Sequence, residues 1–161
     1  MQSIRALEAF SFAASAVLQN QLPRVRWPES RGSGWIESGC IEPFAAERSD
    51  GSILMTLRTA MGTQFFTEST DGGETWSLPK SMEVISSIAP AHLTRIPGSD
   101  DLLLVWTSNF DVTQSGMGLR HTITACVSRD GGRSWPHNDR KTLVHDTGQS
   151  NDYPFVMYKG S

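Results

Sequence analysis

Four side chains in this chain have chemistries that complement one another: Glu42, Arg58, Arg120 and Tyr153. They follow one another at steps of 16, 62 and 33 residues. Arginine presents a planar, permanently charged fork that matches a carboxylate bidentately, so two arginines could clamp an acidic ligand. A phenol, with an ordinary pKa near 10, is a poor nucleophile at neutral pH unless a base assists it. Each residue also has an ordinary reading. Glu42 could be a solvated carboxylate at a strand start, and the arginines could form weak surface ion pairs. Glu37 is the competing acid and Tyr158 the competing tyrosine. Pro43 and the step to Arg58 favour Glu42, and a strand start beside Asn151 and Asp152 favours Tyr153.

A repeat supplies the elements that must position these residues. Ser69-Thr70-Asp71-Gly72-Gly73-Glu74-Thr75-Trp76 recurs as Ser128-Arg129-Asp130-Gly131-Gly132-Arg133-Ser134-Trp135, with Asp71 and Asp130 59 residues apart. Within this box the Asp carboxylate can accept N–H groups of a tight turn, the Gly pair allows positive φ, and Trp anchors the hairpin. Residues 41–48 align with 88–95, placing Pro43 against Pro90, and short apolar runs follow at 51–57 and 101–106. The second unit carries the longer loop, around Asn109 to Gly118. Repeats of this length built from short strands predict propeller blades of about four strands. The class is all-β.

Two blades are expected, over roughly 41–82 and 88–146, with Tyr153 to Tyr158 opening a third. A closed propeller needs 4–8 blades, so about three make an incomplete one whose missing blades come from a longer parent chain. The expected division is 35–161 for this partial propeller and 1–34 for a poorly defined preceding segment. In that segment Ala6 to Leu18 has the outline of a secretory signal, but Glu8 interrupts it; an amphipathic helix through Leu7, Phe10, Ala14 and Leu18 is the alternative. In up-and-down blades Glu42 starts strand 1, Arg58 follows strand 2 (Ser52 to Leu57), and Arg120 opens strand 3 (Arg120 to Val127). Tyr153 starts the next strand 1. All four then share one rim, and both boxes lie at the opposite end.

The boxes resemble the Asp-box of sialidases and other β-propellers. The ordered Glu–Arg–Arg–Tyr set is similar to the later part of a sialidase (neuraminidase) propeller of the bacterial and animal type, over roughly residues 35–161. That resemblance implies a six-bladed fold and a retaining exo-sialidase acting on terminal sialic acid or a related acidic sugar. It implies Tyr153 as nucleophile, Glu42 as its base, and Arg58 and Arg120 as carboxylate ligands, with no cofactor. Sialidases use Tyr where most glycosidases use a second carboxylate, and a neutral phenol is not repelled by the sugar's own carboxylate. The family's first arginine and its acid/base aspartate have no counterpart here. General acid help is worth about 10²–10⁴-fold, so the chain alone is expected to be weak or inactive.

Composition narrows the rest. A net charge of −3 leaves no basic footprint for nucleic acid, and no apolar run of about 18 residues spans a membrane. Cys40 and Cys126 have no metal spacing and read as buried thiols, a disulfide between them being the alternative, and the four histidines are too scattered for a zinc site. The compartment stays open, with the family leaning to secreted or periplasmic proteins. Two other functional classes stand beside the enzyme. One is a non-catalytic Asp-box propeller that binds carbohydrate or protein; the other is a truncated frame inactive alone.

Overall fold

The computed structural model describes residues 25–28, 35–38, 41–110, 120–148 and 153–159. Ten strands are present among them, and all pair antiparallel. β1 (Val25–Pro28) and β2 (Trp35–Ser38) form a two-stranded ribbon. The first four-stranded sheet runs β3 (Ile41–Glu47), β4 (Ile53–Arg58), β5 (Thr63–Ser69) and β6 (Lys80–Ile85). The second runs β7 (His92–Arg95), β8 (Leu102–Thr107), β9 (Thr122–Ser128) and β10 (Lys141–His145). A 3₁₀ turn at His137–Asp139 leads into β10. No helix among the described residues is long and apolar enough to cross a membrane.

Both sheets are meanders whose neighbours in sequence are neighbours in space, as short connections dictate. The second strand of each is its driest. Ile53 to Leu57 is buried at every position, and β8 is buried at five positions of six. Such runs need cover on both faces. Part of that cover is a shared core: Ala46, Leu54, Met82 and Val84 of the first sheet pack with Leu93, Leu102, Leu104, Trp106 and Cys126 of the second. Fully burying one Leu is worth about 1.5–3 kcal/mol, so this core outweighs any single polar contact in the molecule. The last strands are wetter: β6 alternates, and all five residues of β10 are exposed. Burial raises the Cys126 thiol above its ordinary pKa, which makes it an inert packing residue.

Both boxes close the same turn with the same bonds. In the first, Ser69 Oγ donates to Asp71 Oδ1 (2.7 Å), which also accepts Thr75 N–H (2.9 Å), while Thr75 Oγ1 donates to Oδ2 (2.5 Å). In the second, Ser128 Oγ donates to Asp130 Oδ1 (2.6 Å), joined by Ser134 N–H (3.0 Å), with Ser134 Oγ on Oδ2 (2.6 Å). Each box follows the third strand of its sheet. The tryptophans differ: Trp135 is buried in the shared core, whereas Trp76 is half-buried beside Met55 and Leu57, short of the full burial expected of an anchor. The second box is also clamped by the first sheet. Arg48 donates through Nε to the Gly131 carbonyl while Nη2 pairs with Glu68 at 2.5 Å.

The sheets extend to Ile85 and His145, near the expected blade ends. β4 ends on Arg58 itself, and β9 begins at Thr122, two residues after Arg120. Tyr153 to Lys159 forms no strand, contrary to expectation. An extended segment gains its ladder only from a neighbour, and no described residue supplies one beside it. The helix-or-signal reading of Ala6 to Leu18, and Cys40, lie outside the described residues.

Two stability predictions follow from the boxes. Gly72 and Gly132 both have left-handed backbones, φ +74° and +83°. An added Cβ meets nothing within 4 Å at Gly72 but sits 2.3 Å from Leu54 Cδ2 at Gly132. In urea unfolding, Gly72→Ala should cost about 1–2 kcal/mol for the backbone. Gly132→Ala should cost about 1–3 kcal/mol more for overpacking; equal losses would contradict the packing of box two on the first sheet.

Acid tests the carboxylates. The Thr75 hydroxyl, then the Thr75 N–H and Ser69 hydroxyl, hold Asp71 at about 2 against an ordinary 3.8. At Asp130 desolvation pushes upward, but Ser128, Ser134 and the Arg133 N–H prevail and hold it at about 2. A depressed carboxyl pKa contributes stability that is complete above about 3.8 and lost as pH falls toward 2. Asp130→Asn should therefore flatten the fall in unfolding free energy across that window, measured by urea titration at each pH.

Candidate functional site

The boxes mark one end of the paired sheets. The start of β3, the end of β4 and the start of β5 lie at the other, as do the corresponding ends of β7, β8 and β9. Hydrogen bonds hold these rims together. Ser86 N–H donates to the Gly62 carbonyl at 3.0 Å, and Gln64 Nε2 donates to the Ala89 carbonyl at 2.7 Å. Trp106 Nε1 donates to the Ile85 carbonyl at 2.9 Å.

Glu42 reaches this rim through a defect in the ladder. Ile41 pairs with Arg58 and Phe44 with Thr56, so β3 spends one extra residue there. Such a bulge bends the strand and re-aims a side chain. Glu42 takes φ +48°, a left-handed conformation that costs a non-glycine residue of order 1–3 kcal/mol. Tyr153, at φ +54°, is also left-handed. Of the three non-glycine residues with positive φ among the described residues, two are therefore sequence-chosen site residues; the third is Glu83.

Three of the four site residues touch. Arg58 Nη1 donates to Glu42 Oε2 at 2.5 Å, and the Tyr153 hydroxyl donates to Glu42 Oε1 at 2.9 Å. One carboxylate thus holds a guanidinium on one oxygen and a phenol on the other. Arg58 is largely buried, 11% exposed in its side chain, while Glu42 is 35% exposed. Its remaining edge includes Nε, buried without an acceptor among the described residues. Arg120 stands apart: it is buried beside the sheet-to-sheet link, where Nη2 donates to the Ile88 carbonyl at 2.6 Å. Glu37, the competing acid, has no described side chain, and the hydroxyl that meets Glu42 is that of Tyr153, not that of Tyr158. No group of three or more His, Cys, Asp and Glu among the described residues could hold a metal.

The sequence did not single out His92, which packs beneath the cluster. Its ring lies 4.9 Å from Phe44 and 5.0 Å from Phe155, and it is 7% exposed. A lone histidine in a strand carries no sequence signal for such a contact. Desolvation pushes its imidazole below the ordinary value of 6.5. The unfolded chain then binds the proton that the folded chain resists, so stability is complete above about 6.5 and falls as pH drops below it. His92→Phe should remove this part of the slope, measured by urea unfolding at about pH 7.5 and about pH 5.5. An unaltered slope would mean that the ring is already solvated.

Comparison with known proteins adds the family. Residues 11–161 match the model of the BNR repeat-like domain. No curated protein sequence matches significantly. Among solved structures, the NanB sialidase of Streptococcus pneumoniae superposes at TM-score 0.50, with 19% identity over 72% of this chain and 19% of that one. A leech intramolecular trans-sialidase matches at 17% identity and TM-score 0.49, covering 77% of this chain and 20% of that one. A Dyadobacter fermentans protein of unknown function matches at 20% identity and TM-score 0.48, over 77% and 34%. The chain therefore spans between a fifth and about a third of the length of these structures. At these identities the likeness concerns the fold. With its duplicated Asp-box, its meander sheets and a match over nearly its whole length, the chain belongs to the BNR repeat-like domain family.

Proposed function

We propose that the chain is a section of a sialidase-like glycoside hydrolase. Its two sheets are consecutive propeller blades within 35–161, 153–159 leads into the next blade, and the missing blades belong to a longer parent chain. The substrate is a glycan ending in sialic acid or a related acidic sugar. The observation that carries this reading is the Tyr153–Glu42–Arg58 relay, with hydrogen bonds of 2.9 and 2.5 Å on the two oxygens of one carboxylate.

The relay suits a retaining displacement. Glu42 accepts the phenolic proton as Tyr153 Oη attacks the anomeric carbon and the bond to the leaving oxygen breaks. That oxygen takes a proton from a donor outside this chain. In the second half water gives a proton back to that outside donor and displaces the phenolate, which recovers its own proton from Glu42, and the sugar leaves with its configuration retained. Arg58 serves two anions: one Nη anchors Glu42, and its remaining donors face the sugar carboxylate together with Arg120. Bidentate recognition of a planar carboxylate is what a guanidinium does and an ammonium does not.

Turnover of an aryl sialoside by the parent protein tests this. Tyr153→Phe should lower kcat by about 10³-fold or more while leaving binding of a free sialic acid intact, because the phenol carries none of the carboxylate binding. Glu42→Gln should also slow turnover, and Arg58→Lys should weaken binding of ground and transition states together. Undiminished turnover in Tyr153→Phe would remove the phenol from the mechanism and leave a binding propeller as the better reading.

A further inference from the structure

Glu42 and Tyr153 are 111 residues apart, and their backbones belong to different segments. The 153–159 segment has no ladder partner to fix its height or tilt against the sheets. Side chains must do it. Among the described residues its hydrogen bond is that of Tyr153 with Glu42 and its ring contact that of Phe155 with His92. His92 lies on β7.

The ring contact has a particular geometry. Phe44 follows Glu42 by two residues, and Phe155 follows Tyr153 by two. Each segment thus carries a phenylalanine close in sequence to the phenol–carboxylate bond. Both meet His92, whose ring tilts 53° to Phe44 and 74° to Phe155. Centroid separations of 4.9 and 5.0 Å at these angles are the favoured edge-on arrangement of aromatic rings. His92 Nδ1 is buried with no hydrogen-bond partner among the described residues, so the contacts described for this ring are with the two phenyl rings.

We propose that His92 is a positioning residue: its ring, in contact with both Phe44 and Phe155, ties the two segments together and so holds the Tyr153 phenol on Glu42. The proposal rests on the reading of Tyr153 and Glu42 as nucleophile and base. No hydrogen bond or ring contact among the described residues joins His92 to either of them. Removing its ring takes away the bridge between the two segments, so that the 153–159 segment tilts and carries Tyr153 off its carboxylate. Another aromatic ring of similar size keeps the bridge.

The test uses the 161-residue chain with its tyrosine rings labelled in ¹³C. Only Tyr153 and Tyr158 contribute, so Tyr158→Phe assigns the two signals. Glu42→Gln should move the Tyr153 signal and defines the value for a phenol off its carboxylate. His92→Ala should move that signal at least as far, with the Trp106 indole N–H resonance in place to show an intact core, and His92→Phe should restore it. If His92→Ala leaves the Tyr153 signal at its native position while Glu42→Gln moves it, the positioning role is overturned. Should His92→Ala unfold the chain, Phe155→Ala gives the same readout from the other side, since Phe155 is 69% exposed and its loss spares the core. An unmoved signal there also overturns the proposal. A Tyr153 signal indifferent to Glu42→Gln removes the contact itself, and the proposal with it. If the signals behave as expected but Tyr153→Phe leaves turnover of the parent unchanged, the positioning stands and the catalytic reading falls.

Discussion

A strand with no polar face must be covered from both sides, and this chain contains two such strands. β4 is buried along Ile53 to Leu57, and β8 almost throughout. Neither four-stranded sheet can leave such a strand open to water, so the two sheets pack through Leu54, Leu102, Leu104 and Trp106. Everything else about the molecule depends on this stacking. It places the two boxes at one end and the two rims at the other.

Polar groups then fix the stacking angle at both ends. At the box end Arg48, anchored by Glu68 and Ser52, reaches across to the Gly131 carbonyl. At the rim Gln64 crosses in the same sense to Ala89 and Ser86. These groups are buried, and a buried donor left without its acceptor costs about 1–3 kcal/mol. They therefore act as specificity devices: a slipped or rotated sheet would forfeit several at once, whereas apolar contacts alone tolerate sliding. The absence of a side chain at Gly132 belongs to the same logic, since Leu54 occupies that space.

The rim is where the structure departs from regularity. The bulge at Glu42 and the left-handed backbones of Glu42 and Tyr153 each cost energy, and both residues meet in one hydrogen bond. Strain of this kind persists only where the surroundings over-determine it. Here they do: Arg58 fixes one carboxylate oxygen, and the Phe44–His92–Phe155 contact fixes the segment that bears the phenol. The box end, by contrast, carries its strain on glycines, where it is cheap. One end of the sheets holds the fold, and the other holds a charged arrangement in place.

Local chemistry settled what the residues themselves could determine. The duplicated Ser-x-Asp-Gly-Gly-x-(Thr/Ser)-Trp skeleton encodes its own turn, because the bonds that its Ser, Asp and Thr/Ser make to close the turn lie within its eight residues. The apolar runs that flank it encode strands, and strand order then assigns Glu42, Arg58 and Arg120 to one end by counting alone. Long-range packing decided the rest. That Arg58 meets Glu42, and that Tyr153 joins them from 111 residues away, depends on a bulge and on a segment without a ladder. Neither has a sequence period. Arg120 shows the same limit from the other side: counting puts it at this end, but that its Nη2 holds the Ile88 carbonyl of the sheet-to-sheet link is decided only by folding. His92 was invisible for the plainest reason, since a ring lodged between two segments distant in sequence acquires its role only when folding brings them together.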